Sequence, residues 1–312
     1  MKNLFYKTAF LNFCNSLFPN KRDNVNRIIL KSVFILGITG LVAFLLSVSV
    51  YFNKINNMQK LQNQNSQLYS QLLSEKQTAL KTLKTQNSDF KAWVNIENTS
   101  VSYPVYQTDN NNYYLSHNQL KKKSAFGSLF FDAKDSLSEK VTDRNLVIYG
   151  NSPKSDLLFS PLKNYKSLHF LKQNSYIDLI TTGGNQKYVI FAVFVINSDP
   201  QDDGNRIFDY KKSEFETREE FDLWFSELTQ RNLYENNIDV TSEDEFLTLV
   251  TDSPEFKGAK LVVTARKMRD GDNTQNFYIN PNKTPRYPNI YYTLKGIKNP
   301  FTNKEEDYVS QH

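Results

Sequence analysis

The clearest hydrophobic feature is a run of apolar residues near the start of the chain. Residues 32–52 include no charged side chain and are mostly Val, Leu, Ile and Phe. A helix rises about 1.5 Å per residue, so a segment of this length covers roughly the ~30 Å hydrocarbon core of a bilayer. The pattern predicts a transmembrane helix at 32–52.

A helical stripe follows at residues 53–87, a stretch that has no Gly or Pro and is rich in Gln, Asn, Lys and Ser. Its apolar residues recur at spacings of three, four or seven, as on one face of a helix. They are Ile55, Met58, Leu61, Leu68, Leu72, Ala79, Leu80 and Leu83. Gln64 and Asn65 interrupt the stripe, which favours a solvated helical stalk over the alternative, a weak stalk-mediated coiled-coil dimer.

The pattern changes again at residues 88–269, to short apolar runs separated by Asn, Gly, Asp and Pro. Runs rich in Val, Ile, Phe and Tyr are typical of β-strands. The predicted strands are 101–107, 128–131, 146–149, 176–182, 188–196, 246–251 and 261–265. One segment, 213–232, instead has helical spacing, with Ser213 as the predicted N-cap and Glu216 three residues later. We expect a mainly β domain, a barrel or sandwich with one inserted helix.

Residues 270–312 are polar and irregular and contain several prolines, which is typical of a tail rather than a second domain. The tail is nonetheless aromatic, with Phe277, Tyr278, Tyr287, Tyr291, Tyr292, Phe301 and Tyr308. Disordered segments are usually poor in aromatic residues. We therefore expect part of this tail to dock on the domain or on a partner.

Charge sets the predicted orientation of the membrane helix. The residues before it include Lys2, Lys7, Lys21, Arg22, Arg27 and Lys31, opposed only by Asp23. Their sum, six minus one, equals the net charge of +5 of the whole chain. The chain after residue 31 is therefore close to neutral, which predicts no nucleic-acid partner. The positive-inside rule predicts a cytoplasmic segment at 1–31 and an extracellular domain. A cleaved signal peptide is the alternative, but no small-residue cleavage site follows the apolar run.

Cysteine use limits the chemistry. Cys14 is the one cysteine in the sequence, and it precedes the predicted membrane helix. An intramolecular disulfide or a Cys-based metal site is therefore excluded. The predicted extracellular domain has no cysteine that could act as a nucleophile.

Several strings, in order, resemble the class B sortases, the cysteine transpeptidases of Gram-positive cell surfaces. The resemblance covers about 88–268 and implies a sortase-type β-barrel with an inserted helix, carried by an N-terminal anchor and a short stalk. Its strings are DFKAWVNI at 89–96, VSYPV at 101–105, DN at 109–110, YYLSH at 113–117, GSLFFD at 127–132, NLVIYG at 145–150, LKNY at 162–165, YVIFAV at 188–193 and TLVT at 248–251.

The resemblance also implies which positions carry chemistry. In that family a Cys thiolate attacks a backbone carbonyl of a sorting signal, a His acts as general acid and base, and an Arg stabilises the developing oxyanion. The His position follows the Ile-Tyr-Gly string and is Asn151 here. The Cys position follows Thr-Leu-x-Thr and is Asp252, and the Arg position precedes the last apolar strand and is Lys260. All three positions depart from the family.

These departures remove the family's chemistry. Asn151 has no titratable proton, and Lys260 lacks the bidentate guanidinium. Attack by Asp252 would give an unstable anhydride. We therefore expect no catalytic residue at these positions. We expect all three at the ends of neighbouring strands, with a partly buried Asp252 accepting hydrogen bonds from Asn151 and from Lys260, less than about 6 Å away.

The other potentially reactive residues are better explained by structural or surface roles. His117 lies within the YYLSH string and is interpreted as structural, while His169 and His312 are interpreted as surface residues. Ser253 neighbours the Cys position, but a serine nucleophile needs an adjacent base, and no His is placed for that. Asp202–Asp203 offers too few carboxylates for a calcium site and is interpreted as a solvated loop.

The sequence thus predicts an inactive, membrane-anchored pseudosortase at the cell surface, with no cofactor and no metal. Its predicted partner is an extended peptide of a surface or pilus protein, or an active sortase. One alternative is an active transpeptidase or hydrolase with relocated chemistry. Another is a structural component of a cell-surface complex, bound through its stalk and tail. Fold alone does not decide between them, because function lies in the site.

Overall fold

The computed structural model describes residue 13 and residues 16–137, 143–272 and 277–301. Cys14 and His312 lie outside these described residues. The chain divides into two units, Met1–Asn57 and Met58–His312. Helix α1 (Val25–Ser74) begins in the first unit, after Asn24, whose side chain accepts a hydrogen bond from the Arg27 N–H at 3.0 Å. Among the described residues, α1 alone is long and apolar enough to cross a membrane, with a window of mean hydropathy 2.5.

In the second unit, the end of α1 and the short helix α2 (Lys76–Gln86) bury the apolar stripe. Leu72 is only 1% exposed, and Leu80 and Leu83 are also buried. The Tyr69 ring stacks on Trp93 of the barrel, with ring centroids 6.0 Å apart. The stripe therefore packs against the chain's own barrel. This arrangement differs from a solvated stalk. The apolar residues at 58–83 that a coiled-coil dimer would bury between two helices are already covered by the barrel.

Eight strands form one closed barrel: β1 (Phe90–Asn95), β2 (Ser102–Tyr106), β3 (Leu129–Phe131), β4 (Asn145–Tyr149), β5 (Tyr176–Thr181), β6 (Gly184–Ile196), β8 (Phe246–Asp252) and β9 (Lys260–Lys267). Their order in the barrel is β1-β2-β3-β4-β8-β9-β6-β5. The β2–β3 and β4–β8 pairs are parallel, and the other pairs are antiparallel. The prediction of a mainly β barrel is confirmed, and β1 is a strand that the apolar pattern alone did not single out.

The inserted helix α4 (Arg218–Arg231) follows β6 and covers one side of the barrel. Its apolar face buries Phe221, Trp224 and Leu228 in the same cluster as residues of β6 and β8. The helix begins later than predicted, because Thr217 is its N-cap and accepts a hydrogen bond from the Glu220 N–H at 3.1 Å. The earlier N-cap prediction at Ser213 is therefore wrong.

The remaining elements are short. Helix α3 (Leu168–Gln173) precedes β5, and a two-stranded sheet joins β7 (Tyr234–Asn236) to β10 (Ile279–Pro281). Helix α5 (Asn289–Lys295) follows β10. The segment predicted as an irregular tail thus contains a strand and a helix.

Candidate functional site

Three strands end together at one edge of the barrel. Tyr149 of β4 pairs in parallel with Val250 of β8, and the pairing continues beyond the strand, because the Gly150 N–H donates to the Val250 carbonyl at 3.1 Å. On the other side of β8, Asp252 pairs with Lys260 of β9. Neighbouring strands lie about 4.8 Å apart, so Asn151, Asp252 and Lys260 follow at adjacent strand ends, as the sequence predicts.

Gly150 fixes how β4 ends. A Cβ atom at this position would lie 2.3 Å from Leu129 Cδ2 and 2.6 Å from Phe159 Cδ2. The Gly150 carbonyl accepts a hydrogen bond from Thr251 Oγ1 at 2.8 Å. The close packing holds the end of β4 against β8, one residue before Asn151.

Asp252 and Lys260 form an ion pair. Lys260 Nζ lies 2.6 Å from Asp252 Oδ1, and the two side chains are 36% and 63% exposed. The expected contact between them is present, but the expected burial is not. A solvent-exposed pair of this kind stabilises a fold by only about 0–1 kcal/mol. Asp252, which the sequence predicts to stand at the nucleophile position, is thus already paired with a cation.

The Asn151 side chain does not donate a hydrogen bond to Asp252. Its Nδ2 group donates to the carbonyls of Leu115 and Phe126, each at 3.0 Å. Both N–H groups of the amide are used in this way, so neither is available to the carboxylate. The expectation that Asn151 donates to Asp252 is therefore wrong, and the residue instead ties the loop before β3 to the end of β4.

A second polar cluster lies beside this edge and was missed from the sequence. Lys166, on a 3₁₀ helix (Ser160–Lys166), donates to Ser253 Oγ at 2.9 Å and pairs with Glu255. Ser253 is only 8% exposed. Burial alone would raise the pKa of the Glu255 carboxyl, but hydrogen bonds from Lys166 and Ser253 outweigh burial and lower it. No sequence signal links residue 166 to residues 253–255, which only the fold brings together.

The other residues singled out from the sequence have structural surroundings. His117 stacks on Tyr113 with ring centroids 4.1 Å apart, and its Nδ1 donates to the Tyr113 carbonyl at 2.8 Å. His169 is exposed on α3. Asp203 is buried, at 5% exposure, so the prediction of a solvated loop is wrong at this residue. It accepts a hydrogen bond from the Asn289 N–H at 3.0 Å, which explains the burial.

Solved structures of other proteins share this barrel. Clostridium perfringens sortase B is 31% identical and matches 61% of this chain and 99% of its own, with a TM-score of 0.54. The Staphylococcus aureus sortase B–substrate complex matches 69% of this chain and 95% of its own, with a TM-score of 0.59 and 23% identity. The barrel with its inserted helix is thus the sortase fold.

Sequence relatives narrow the class. The sortase B of Listeria monocytogenes is 28% identical over 189 residues, which are 60% of this chain and 73% of that protein. No protein-family model matches the chain. The Clostridium perfringens protein, covered almost whole at 31% identity, settles the assignment. The chain belongs to the class B sortase family.

Proposed function

We propose that this chain is a catalytically inactive class B sortase that binds an extended peptide. The peptide belongs to a surface or pilus protein, or to an active sortase. The observation that carries the proposal is what the side chains at the three family positions contact. Asp252 and Lys260 neutralise each other at 2.6 Å, and Asn151 holds a loop through two carbonyls.

The chemistry of these groups supports inactivity. Acyl transfer by a sortase needs a nucleophile that displaces the amine of an amide bond and forms an acyl-enzyme, and a group that moves a proton. The Asp252 carboxylate is a poor nucleophile towards an amide, and the Asn151 amide has no titratable proton. The sortase B of Staphylococcus aureus has been seen in a complex with substrate. A related fold without the reactive groups is suited to holding a peptide rather than cleaving it.

Relocated chemistry at Ser253 is the rival function. A serine nucleophile needs a neighbour that accepts its proton. Lys166 donates to Ser253 Oγ at 2.9 Å and pairs with Glu255, so as a paired ammonium it has no lone pair for that proton. Despite burial, the hydrogen bond from Lys166 lowers the pKa of the Glu255 carboxyl, which makes Glu255 a weak base, and this arrangement supports a structural cluster over a nucleophile.

We also propose that the protein is anchored in the cell membrane, with its N-terminus in the cytoplasm and its barrel outside. The apolar window in α1 and the basic residues before it support this topology. Protease added to intact protoplasts should remove the barrel while leaving the N-terminal segment. Complete protection of the barrel would contradict the topology.

Catalysis is tested with the full chain in detergent and the peptide that Staphylococcus aureus sortase B takes as substrate. We expect binding but neither cleavage nor transfer, with that enzyme as the positive control. Asp252→Cys should also be inactive, because Asn151 still cannot move a proton. Turnover by the unmodified chain would overturn the proposal, and loss of that turnover in Ser253→Ala would assign it to Ser253.

A further inference from the structure

The C-terminal segment 277–301 is joined to the candidate site through β7. Pro281 of β10 pairs with Tyr234 of β7, and Tyr234 Oη donates to the Tyr165 carbonyl at 2.6 Å. Tyr165 directly precedes Lys166, which donates to Ser253. A short chain of contacts therefore runs from the C-terminal segment to the cluster beside Asp252.

A second connection passes through the buried carboxylate of Asp203. Its Oδ1 accepts from the Asn289 N–H at 3.0 Å. Its Oδ2 lies 3.9 Å from Arg286 Nη2 and 4.0 Å from Arg231 Nη2. Arg286 belongs to the C-terminal segment, while Arg231 ends the inserted helix. A buried charge is costly to leave without partners, so this carboxylate holds the C-terminal segment against the inserted helix and the connection that precedes it.

The connection from β6 to the inserted helix, which includes Ser198 and Asp203, in turn holds the loop between β8 and β9. Ser198 Oγ donates to the Gly258 carbonyl at 2.8 Å, and Gly258 has a φ of +82° that favours glycine. Within the loop, the Ser253 N–H donates to the Ala259 carbonyl at 2.9 Å. Loop 253–259 is therefore fixed at both of its ends.

We infer that segment 277–301 is a brace for the candidate site. It sets the position of the 3₁₀ helix at 160–166 against loop 253–259, and so positions Lys166, Ser253 and Glu255 beside Asp252. The consequence for binding rests on the proposed function: a loosened brace weakens peptide binding. The positioning itself does not depend on that function, because it concerns order in the two segments.

Amide hydrogen exchange of the full chain tests the brace with two variants. Tyr234→Phe removes only the hydroxyl that reaches Tyr165, and Asp203→Ala removes the carboxylate shared by Arg286 and Asn289. Tyr278→Phe is the matched control, because Tyr278 is an exposed tyrosine of the same segment. We expect exchange at 160–166 and 253–259 to rise about three- to tenfold in Tyr234→Phe, in line with one lost hydrogen bond, to rise at least as much in Asp203→Ala, and to stay unchanged in the control.

Exchange within β4 and β8 should not change, and the dissociation constant for the substrate peptide should rise by a similar factor. Unchanged exchange at 160–166 and 253–259 would overturn the brace, and so would a uniform rise across the whole barrel. If the two segments loosen but the unmodified chain binds no peptide, the proposed function fails and the brace stands.

Discussion

Replacing Asp135 with asparagine should stabilise the protein at alkaline pH far more than at acidic pH. Asp135 Oδ2 accepts a hydrogen bond from the Val147 N–H at 2.7 Å. The neighbouring Asp132 is held by Lys211 Nζ and Tyr149 Oη, each at 2.9 Å. Lys211 therefore neutralises one carboxylate of this pair, while Asp135 has no comparable cation in direct contact among the described residues.

The two carboxyl groups respond to this arrangement in opposite directions. Burial raises the pKa of Asp135 from 3.8 to about 7, with further increases from the charges of Asp132 and Asp143. Burial would also raise the pKa of Asp132, but hydrogen bonds from Lys211 and others outweigh it and lower the pKa to about 2. Of these two carboxyl groups, only Asp135 therefore titrates between pH 5 and pH 8.

The sign and size of the effect follow from linkage. The unfolded chain releases the Asp135 proton near its usual pKa of 3.8, while the folded chain keeps it until about 7. Stability therefore falls as pH rises across this interval. At about 1.4 kcal/mol per pKa unit, the full penalty approaches ~4 kcal/mol, of which about 2–3 kcal/mol develops between pH 5 and pH 8. Asparagine keeps the acceptor for Val147 and has no charge to bury.

Urea unfolding of the full chain in detergent, followed by tryptophan fluorescence at pH 5 and pH 8, measures this difference. The gain in unfolding free energy from Asp135→Asn should be larger at pH 8 by about 2–3 kcal/mol. Asp156→Asn, at an exposed carboxylate, is the control and should show no such pH dependence. Equal gains at both pH values, or destabilisation at pH 8, would refute the reasoning.

Three further changes probe the packing and the site. Leu72→Ala should lower the unfolding free energy by about 2–4 kcal/mol in the same urea assay, because it opens a cavity between α1 and the barrel; a loss below 1 kcal/mol would contradict that packing. Asn151→Ala should cost about 1–3 kcal/mol and raise amide exchange at 115–127, and unchanged exchange there would show that Asn151 does not hold this loop. Asp252→Asn should change stability by less than about 1 kcal/mol, since its pair with Lys260 is exposed; a larger loss would mean that the pair is buried in solution.

Seven of the eight barrel strands were predictable, because their apolar runs are bounded by turns that carry Asn, Gly, Asp and Pro. The start of the inserted helix was not, because two positions satisfy the same capping rule. Ser213 and Thr217 each have a glutamate three residues later. Glu220 decides between them, since its carboxylate also accepts from the Glu216 N–H at 2.7 Å and so closes the cap around Thr217.

The apolar stripe of 53–87 shows a different limit. Helical spacing identifies which side of a helix is buried but not what covers it. Water, a second helix and the chain's own barrel are equally consistent with the stripe. The spacing of apolar residues carries no information about the partner of Tyr69, which stacks on Trp93.

The site was predictable in position and only partly in contacts. Strings around the strand ends place Asn151, Asp252 and Lys260 at one edge, and opposite charges predict the ion pair. The hydrogen bonds of Asn151 were not predictable, because a distant loop supplies both acceptors. Lys166 was missed for the same reason, since its partners are 87 and 89 residues away.

The most direct test of inactivity combines binding and chemistry in one sample. The full chain is mixed with the fluorescent substrate peptide of Staphylococcus aureus sortase B, and anisotropy is followed before the sample is taken for intact mass measurement of protein and peptide. We expect saturable anisotropy with both masses unchanged over many hours. A covalent peptide adduct on the protein, or a shortened peptide that forms faster than in buffer alone, would contradict the claim that this sortase-fold protein binds without catalysis.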